Sequence, residues 1–243
     1  MITVTELAKL TALSMEEVTE DVQSLEQQGI VKVFRMKKDT YVWHTIHEQN
    51  MRHRLTEALC DYHETYPYRY GMKKAEIHMT YMKKVKLNVF DLYVEMLSEE
   101  GALKRHQEFL QLPEFEVRKD AVYEKVLKTV QKQFEKAQFD FQRFSEFSFG
   151  NIKREEVEDI MLLLIDEDIV VKITEDIYTL KSIIEKAKEV IQNRLKENPL
   201  ITIAEVRDLL GTSRKSAKPI LEYMDSIRVT KKNGTESERV AYV

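Results

Sequence analysis

The segment Ser213-Arg214-Lys215 places a small hydroxyl residue directly before two cationic side chains. Serine is a preferred N-cap residue, so Arg214 and Lys215 are predicted to occupy the first turn of a helix. The free amides of a helix start attract phosphate, and so do both side chains. An arginine can also form paired hydrogen bonds with the edge of a guanine. The chemistry indicated is binding of a nucleic acid.

More cations follow along the chain, around a predicted turn at Asn233-Gly234. Arg207 precedes the segment and adjoins Asp208, so it could contact a ligand or only form an ion pair. The predicted nucleic-acid-binding residues are Arg207, Ser213, Arg214, Lys215, Lys231, Lys232 and Arg239. The alternative is that these residues are solvated surface charges.

Other chemistry is poorly supported by the residue pattern. Among six histidines, His44 and His47 have a spacing usable for a metal, but no carboxylate or cysteine cluster joins them. No pairing of serine or cysteine with histidine indicates a nucleophile, and no G-x-x-x-x-G-K-[ST] motif could hold a nucleotide. We therefore expect no metal, no cofactor and no enzymatic activity in this chain. The phenylalanines between Phe134 and Phe149 are expected in the core of the third unit, not as a stacking platform, and Trp43 is likewise expected in a core.

Composition indicates a folded, helix-rich chain of 243 residues, 43% hydrophobic and 33% charged. The net charge is −4, of which the part from Pro199 onward contributes +2 and the rest −6. An electrostatic attraction to phosphate must therefore be local. No apolar run is long enough for a membrane span, and the start lacks signal-peptide features, so we expect a cytoplasmic protein. The single cysteine, Cys60, is expected to be a buried thiol.

The two ends of the chain are similar to each other at a constant offset of 199 residues. In each copy a short helix with apolar residues at helical spacing is followed by a turn and a serine, Ser14 or Ser213. Glu17 follows Ser14 at the spacing of a capping box. A second helix and two short β-rich runs complete each copy. Helix-turn-helix plus hairpin is the winged-helix pattern.

The middle of the chain fits two further units of this kind, with helices predicted over residues 51–66 and 154–166. The second helix of the last unit is predicted to end at Ser226. The predicted fold is mainly α with small β-hairpins (α+β), as tandem winged helices in an extended row. The predicted units cover residues 1–47, 48–117, 118–181 and 182–243. The first unit is expected to be truncated, because no helix precedes its helix-turn-helix.

The two copies differ in charge where the second helix begins. The first copy has Met15-Glu16-Glu17 at this position and the last has Arg214-Lys215-Ser216. The start of the second helix faces the ligand in a helix-turn-helix. Because carboxylates repel phosphate, we assign nucleic-acid binding to the last unit.

A long stretch of the last unit resembles the final winged helix of the bacterial selenocysteine-specific elongation factor. The most specific run is Arg207-Asp208-Leu209-Leu210-Gly211-Thr212-Ser213-Arg214-Lys215, and a Leu-Glu-Tyr-x-Asp sequence ends at Asp225. Tyr62-His63-Glu64, Pro67 and Gly71-Met72 are similar to the second unit of that family. The family usually has an aromatic residue where this chain has Ser216.

The resemblance implies four winged helices of which the last binds a selenocysteine-insertion hairpin in mRNA. It further implies an RNA-facing helix start at Ser213, Arg214 and Lys215, with Lys231, Lys232 and Arg239 in the wing. The partners implied are the hairpin and, in the full-length factor, the ribosome; the GTPase of the family would lie upstream, and we expect a monomer. The alternatives are a winged-helix DNA-binding regulator, which would dimerise on a duplex, and a protein-interaction scaffold.

Overall fold

The structure is a computed structural model and describes residues 1–242. Within these residues the chain forms ten α-helices and eleven short strands, and the strands form four small antiparallel sheets. The predicted fold class, mainly helical with small hairpins, is confirmed. The chain divides into two compact units, Met1–Val117 and a second unit that begins at Arg118. The four-unit boundaries stay a prediction.

The first unit begins with a short strand, two helices and a hairpin. These elements are β1 (Ile2–Thr3), α1 (Val4–Thr11), α2 (Met15–Gln27), β2 (Val31–Arg35) and β3 (Thr40–His44). The strands form a sheet in the order β1-β3-β2. The predicted cap of α2 is confirmed, because the Glu17 N–H donates to Ser14 Oγ at 3.2 Å and Glu17 Oε2 accepts from the Ser14 N–H at 2.9 Å.

A second helix-turn-helix with its hairpin follows in the same unit. The elements are α3 (Thr45–Thr65), β4 (Met72–Lys73), α4 (Lys74–Tyr81), α5 (Leu87–Glu99), β5 (Lys104–His106) and β6 (Phe109–Gln111). The sheet order is β4-β6-β5. Helix α3 starts directly after β3, six residues before the predicted start at Met51, because His44 Nδ1 accepts from the Ile46 N–H and caps the helix.

The core of the first unit joins residues from both of its helix-turn-helix segments. Trp43 and Phe34 pack in one hydrophobic cluster with Leu55, Phe90 and Leu97. The position of Trp43 in a core is therefore confirmed. The expectation for Cys60 was wrong, since this thiol is exposed. The buried side chains of α3 lie on another face of the helix.

One charged residue of α3 is also buried in this core. Glu48 is 1% exposed and lies 3.6 Å from Lys32 Nζ and 3.2 Å from Arg52 Nε. The Tyr93 hydroxyl donates to Glu48 at 3.2 Å, and burial raises the pKa of Tyr93. The carboxylate is thus paired and hydrogen-bonded, as a buried charge must be.

The second unit contains two successive helical segments with hairpins. Its elements are α6 (Ala121–Ala137), a 3₁₀ turn (Phe144–Glu146), α7 (Arg154–Asp166), β7 (Val170–Thr174), β8 (Ile177–Leu180), α8 (Lys181–Glu197), β9 (Leu200–Thr202), α9 (Ile203–Leu210), α10 (Arg214–Ser226), β10 (Thr230–Asn233) and β11 (Thr235–Ala241). Strands β7 and β8 form one sheet, and the other has the order β10-β11-β9.

The phenylalanine-rich segment after α6 contributes to two cores, and only part of it lies in the predicted core of the third unit. Phe144 and Phe149 are buried with their ring centroids 5.7 Å apart, and the Phe147 ring lies 5.5 Å from that of Phe134 of α6. Phe139 and Phe141 pack against the cluster formed by α8, α9 and α10. The same cluster includes Val171 of β7, so one core extends across the predicted division at residue 181.

Candidate nucleic-acid interface

The last helix-turn-helix is held in place by a capping box at its beginning. The Glu205 N–H donates to Thr202 Oγ1 at 3.2 Å, and Glu205 Oε2 accepts from the Thr202 N–H at 2.9 Å. The hydrogen bond from the Thr202 backbone lowers the pKa of Glu205. Arg194 of α8 reaches Glu205 at 2.5 Å and ties the two helices together. Helix α9 ends at Leu210 and is capped by Gly211, whose φ of +60° is in the left-handed region that favours glycine.

Helix α10 begins at the predicted position, with Ser213 as its N-cap. The Ser216 N–H donates to Ser213 Oγ at 3.3 Å. Arg214 and Lys215 follow as the first two helical residues, and both are exposed. Neither has a carboxylate within ion-pair distance among residues 1–242. Two cations without an ion-paired carboxylate in residues 1–242 therefore lie at the start of this helix.

The equivalent position of the first unit has a different surface. Met15 is the first residue of α2 and is 48% exposed. Glu17 is engaged in the capping box with Ser14, and this hydrogen bonding lowers the pKa of Glu17. The carboxylate is therefore firmly ionised at neutral pH. The start of α2 presents apolar and acidic groups where the start of α10 presents cations.

Ser216 and Thr212 anchor the start of α10 to the segment that follows α6. Ser216 is 2% exposed, and its Oγ accepts a hydrogen bond from the Phe141 N–H at 3.0 Å. The Thr212 hydroxyl donates to the Phe139 carbonyl at 2.6 Å. Ser216 thus faces the protein interior and not the exposed side of the helix start.

The wing formed by β10 and β11 carries two exposed lysines. Lys232 Nζ lies 2.6 Å from Glu236 Oε1, and this contact lowers the pKa of Glu236. Lys231 Nζ lies over the ring of Tyr242 at 5.8 Å from its centroid. Lys231 is the less neutralised of the two, because its contact is with an aromatic face and not with a carboxylate.

Arg239 does not lie where the sequence analysis placed it. Its side chain is 0% exposed, its Nε lies 2.7 Å from Asp225 Oδ2, and its Nη1 donates to the carbonyls of Glu236 and Glu238. Asp225 also accepts from the Thr230 hydroxyl at 2.7 Å. The assignment of Arg239 as an exposed wing cation is corrected: it joins the wing to the end of α10.

Arg207 forms the ion pair that the sequence left as one of two possibilities. Its Nε and Nη2 both lie 2.7 Å from Asp208 Oδ1. Both side chains are largely exposed. The guanidinium is therefore partly neutralised, although it stays on the surface of α9.

Sequence reasoning missed the positioning residues of this site. Asp225 belongs to a recognisable motif and Ser216 departs from one, but the sequence assigns a structural role to neither. The contacts of Asp225 with Arg239 and of Ser216 with Phe141 connect residues 14 and 75 positions apart. A local pattern contains no signal for such pairs.

Metal-binding clusters and membrane-spanning helices are both missing from residues 1–242. No group of three or more histidine, cysteine, aspartate or glutamate side chains there could hold a metal ion. The rings of His44 and His47 lie 5.9 Å apart, and His44 caps α3. Within the same residues, no helix has the length and apolarity that crossing a membrane requires.

Comparison with known proteins identifies two regions of this chain. Residues 56–112 and residues 193–237 each match a family model described as "Elongation factor SelB, winged helix". The second region contains α9, the turn and the whole of α10. The selenocysteine-specific elongation factor of Desulfomicrobium baculatum is 23% identical over 183 residues. That alignment covers 75% of this chain but only 29% of the relative.

Two solved structures are also similar at low identity. The mRNA-binding domain of SelB from E. coli, in complex with SECIS RNA, is 19% identical with a TM-score of 0.44, over 51% of this chain and 100% of that one. The bacterial selenocysteine-specific elongation factor EF-Sec is 17% identical with a TM-score of 0.44, over 86% of this chain and 32% of that one. The family models and the curated relative carry the assignment: the chain contains winged-helix domains of the elongation factor SelB type and is related to the winged-helix array of selenocysteine-specific elongation factors.

Proposed function

We propose that this chain binds a selenocysteine-insertion hairpin of mRNA through its last winged helix. The observation that carries the proposal is the exposed pair Arg214 and Lys215 at the start of α10, free of carboxylate partners within the described part of the chain. The mRNA-binding domain of SelB was solved with SECIS RNA. The role proposed is the mRNA-tethering arm of a selenocysteine-specific elongation factor.

The helix start offers the groups that a hairpin loop requires. RNA hairpins are recognised through unstacked loop bases and through backbone phosphates. The guanidinium of Arg214 can bind a base edge in paired hydrogen bonds, and the ammonium of Lys215 can bind a phosphate. The amides at the start of α10 add donors for an anion. Because Ser216 is turned inward, the ligand-facing side chains are limited to the exposed ones.

The wing and α9 have smaller proposed roles. Lys231 and Lys232 are proposed to contact phosphates, with Lys232 leaving Glu236 to do so. Arg207 must likewise loosen from Asp208 before it can bind RNA. Such exposed ion pairs contribute about 0–1 kcal/mol, so a phosphate can replace the carboxylate at little cost.

The remaining features of the proposal follow from a role in tethering. The chain is proposed to act as a cytoplasmic monomer in translation, without a cofactor and without catalysis of its own. The ribosome is a proposed partner of the full-length factor. The acidic segments that precede the last winged helix are proposed to act as a spacer that sets the distance between the hairpin site and the rest of the factor.

The proposal is tested by titrating the chain against a fluorescently labelled selenocysteine-insertion hairpin at moderate salt, with duplex DNA of the same length as competitor. We expect binding that the duplex does not displace. Arg214→Ala is expected to weaken it by about 1–3 kcal/mol without unfolding the chain.

The matched control is the double variant Lys153→Ala/Arg154→Ala, which removes two cations from the start of α7 in the same unit. It should bind the hairpin like the parent chain. Unchanged affinity in a folded Arg214→Ala variant would remove α10 from the site. Displacement by the duplex would favour a DNA-binding regulator, and binding to neither would favour a protein-interaction scaffold.

A further inference from the structure

A second cationic surface lies in the first unit, at the turn between α4 and α5. Lys83, Lys84 and Lys86 in this turn are exposed. Within residues 1–242 none of the three has a carboxylate within ion-pair distance. The turn occupies the same place in its helix-turn-helix as Gly211–Ser213 does in the last unit. The acidic net charge of the first part of the chain conceals this local concentration of cations.

A cleft of about 470 Å³ opens beside this turn. Arg54 of α3 contributes a further cation, and its guanidinium lies 5.8 Å from the centroid of the Tyr81 ring. His47, Asn50 and Thr80 add polar groups. No aspartate or glutamate is among the described residues that line the cleft. In a chain with 42 acidic residues, a cleft lined by three cations and no carboxylate has a local excess of positive charge that attracts anions.

A second cleft of the same unit provides the comparison. It has a similar volume of about 480 Å³ and is lined by the exposed lysines Lys37 and Lys38. Asp39 lies in its wall, and Arg35 in the same wall is ion-paired with Glu26. Exposed lysines alone therefore do not distinguish the cleft beside Lys83. The cleft beside Lys83 differs from the second cleft because no aspartate or glutamate is among the described residues that line it.

The groups in the cleft match a nucleotide with its phosphate. Lysines at its rim can bind backbone phosphates as point charges, and the aromatic ring of Tyr81 beside Arg54 offers a face on which a base can stack. A cleft of this size lies within the range of small-ligand sites. A duplex keeps its bases stacked inside, whereas a single strand can place an unstacked nucleotide in a cleft.

We propose that the cleft between α3 and the α4–α5 turn binds single-stranded RNA. The phosphates lie against Lys83 and Lys84, and a base lies against Tyr81. This site is separate in sequence and in unit from the start of α10, so it adds a second contact with RNA. The cleft binds single-stranded RNA that lies outside a hairpin, and it has little base specificity.

The test uses the full chain carrying Arg214→Ala/Lys215→Ala, so that the site proposed on α10 does not contribute. Its affinity for a fluorescently labelled single-stranded oligouridylate is measured as a function of salt. The added pair Lys83→Gln/Lys84→Gln is expected to weaken binding at least about tenfold at 0.1 M salt. It should reduce the slope of log K against log salt by about 1.4, or 0.7 for each lost phosphate contact.

The matched control is Lys37→Gln/Lys38→Gln, which removes the same charge from the other cleft of the same unit. This control should bind the oligouridylate like the parent. An equal loss in both variants, or no loss in either, overturns the proposal, and so does equally tight binding of duplex DNA at this site. Crosslinking of 4-thiouridine RNA to the peptide that contains Tyr81 is expected in the parent, and its absence overturns the placement of the base.

The two binding experiments distinguish failure of the hairpin proposal from failure of the cleft proposal. A parent chain that binds the oligouridylate but not the hairpin would contradict only the proposal for α10. The reverse result would contradict only the cleft. Thermal unfolding of each variant checks the fold, and no loss of stability is expected because Lys83 and Lys84 are exposed.

Discussion

At the scale of single residues, Arg239 shows why a charge pattern is ambiguous on a strand. Side chains alternate between the two faces of a strand, and the sequence does not say which face is buried when both carry polar residues. Arg239 and Glu238 are neighbours on β11, and only Arg239 is fully buried. Its partner Asp225 lies on another element, so only the folded structure reveals the role of the pair.

We expect Asp225→Ala to lower the free energy of unfolding by about 3–5 kcal/mol, because it leaves the buried guanidinium of Arg239 without its carboxylate. Urea denaturation of the full chain measures this loss. Lys231→Ala removes an exposed cation from the same wing and should change the stability by less than about 0.5 kcal/mol. A loss below about 1 kcal/mol for Asp225→Ala would show that the pair does not hold the wing.

The capping residues, unlike Arg239, have roles that the sequence predicts. Ser14 with Glu17 and Ser213 are predicted from their spacing alone, and both predictions are confirmed. Caps are predictable because the donor and the acceptor lie within three residues of each other. Contacts such as that between Glu48 and Tyr93 join distant positions, and no local rule predicts them.

At the scale of secondary-structure elements, long amphipathic helices are predicted well. The bounds of α7 agree with the sequence prediction residue for residue, and α10 ends at Ser226 as predicted. The short strands β1, β4 and β9 were not predicted, because two or three residues carry no periodic signal. The early start of α3 was missed because a histidine caps it.

The position of the start of α10 depends on hydrogen bonds with the segment that follows α6. We expect Ser216→Ala to lower the free energy of unfolding by about 1–3 kcal/mol, because the Phe141 N–H loses its acceptor. The measurement is urea denaturation of the full chain. Ser226→Ala, at the exposed end of the same helix, serves as the control and should have an effect below about 0.5 kcal/mol. Equal effects at the two positions would argue against the anchoring role.

At the scale of the whole molecule, charge is unevenly distributed. The part from Pro199 onward carries +2 and the preceding part −6. The uneven charge is evident from the sequence, but only the structure shows which cations are ion-paired, which are buried and which are exposed. Arg207 and Lys232 are ion-paired, Arg239 is buried, and Arg214 and Lys215 are exposed without a carboxylate partner in residues 1–242.

This distribution predicts the salt dependence of hairpin binding. Glu236→Gln releases Lys232, and we expect it to tighten binding and to steepen the plot of log K against log salt by up to about 0.9. Lys232→Gln should flatten the same plot by a similar amount. Fluorescence anisotropy at several salt concentrations measures both slopes. Unaltered slopes in both variants would exclude the wing from the RNA contact.

The hydrogen bonds of Phe139 and Phe141 with the start of α10 have a consequence for protein engineering. A transplant that begins at residue 182 would transfer the recognition helix without the acceptor for Thr212 and without the donor for Ser216. It would also uncover the apolar surface on which the two rings rest. The smallest segment that keeps the proposed RNA site together with these supporting contacts therefore begins near Arg118. Chimeras joined later in the chain are expected to bind the hairpin more weakly, even if they retain Arg214 and Lys215.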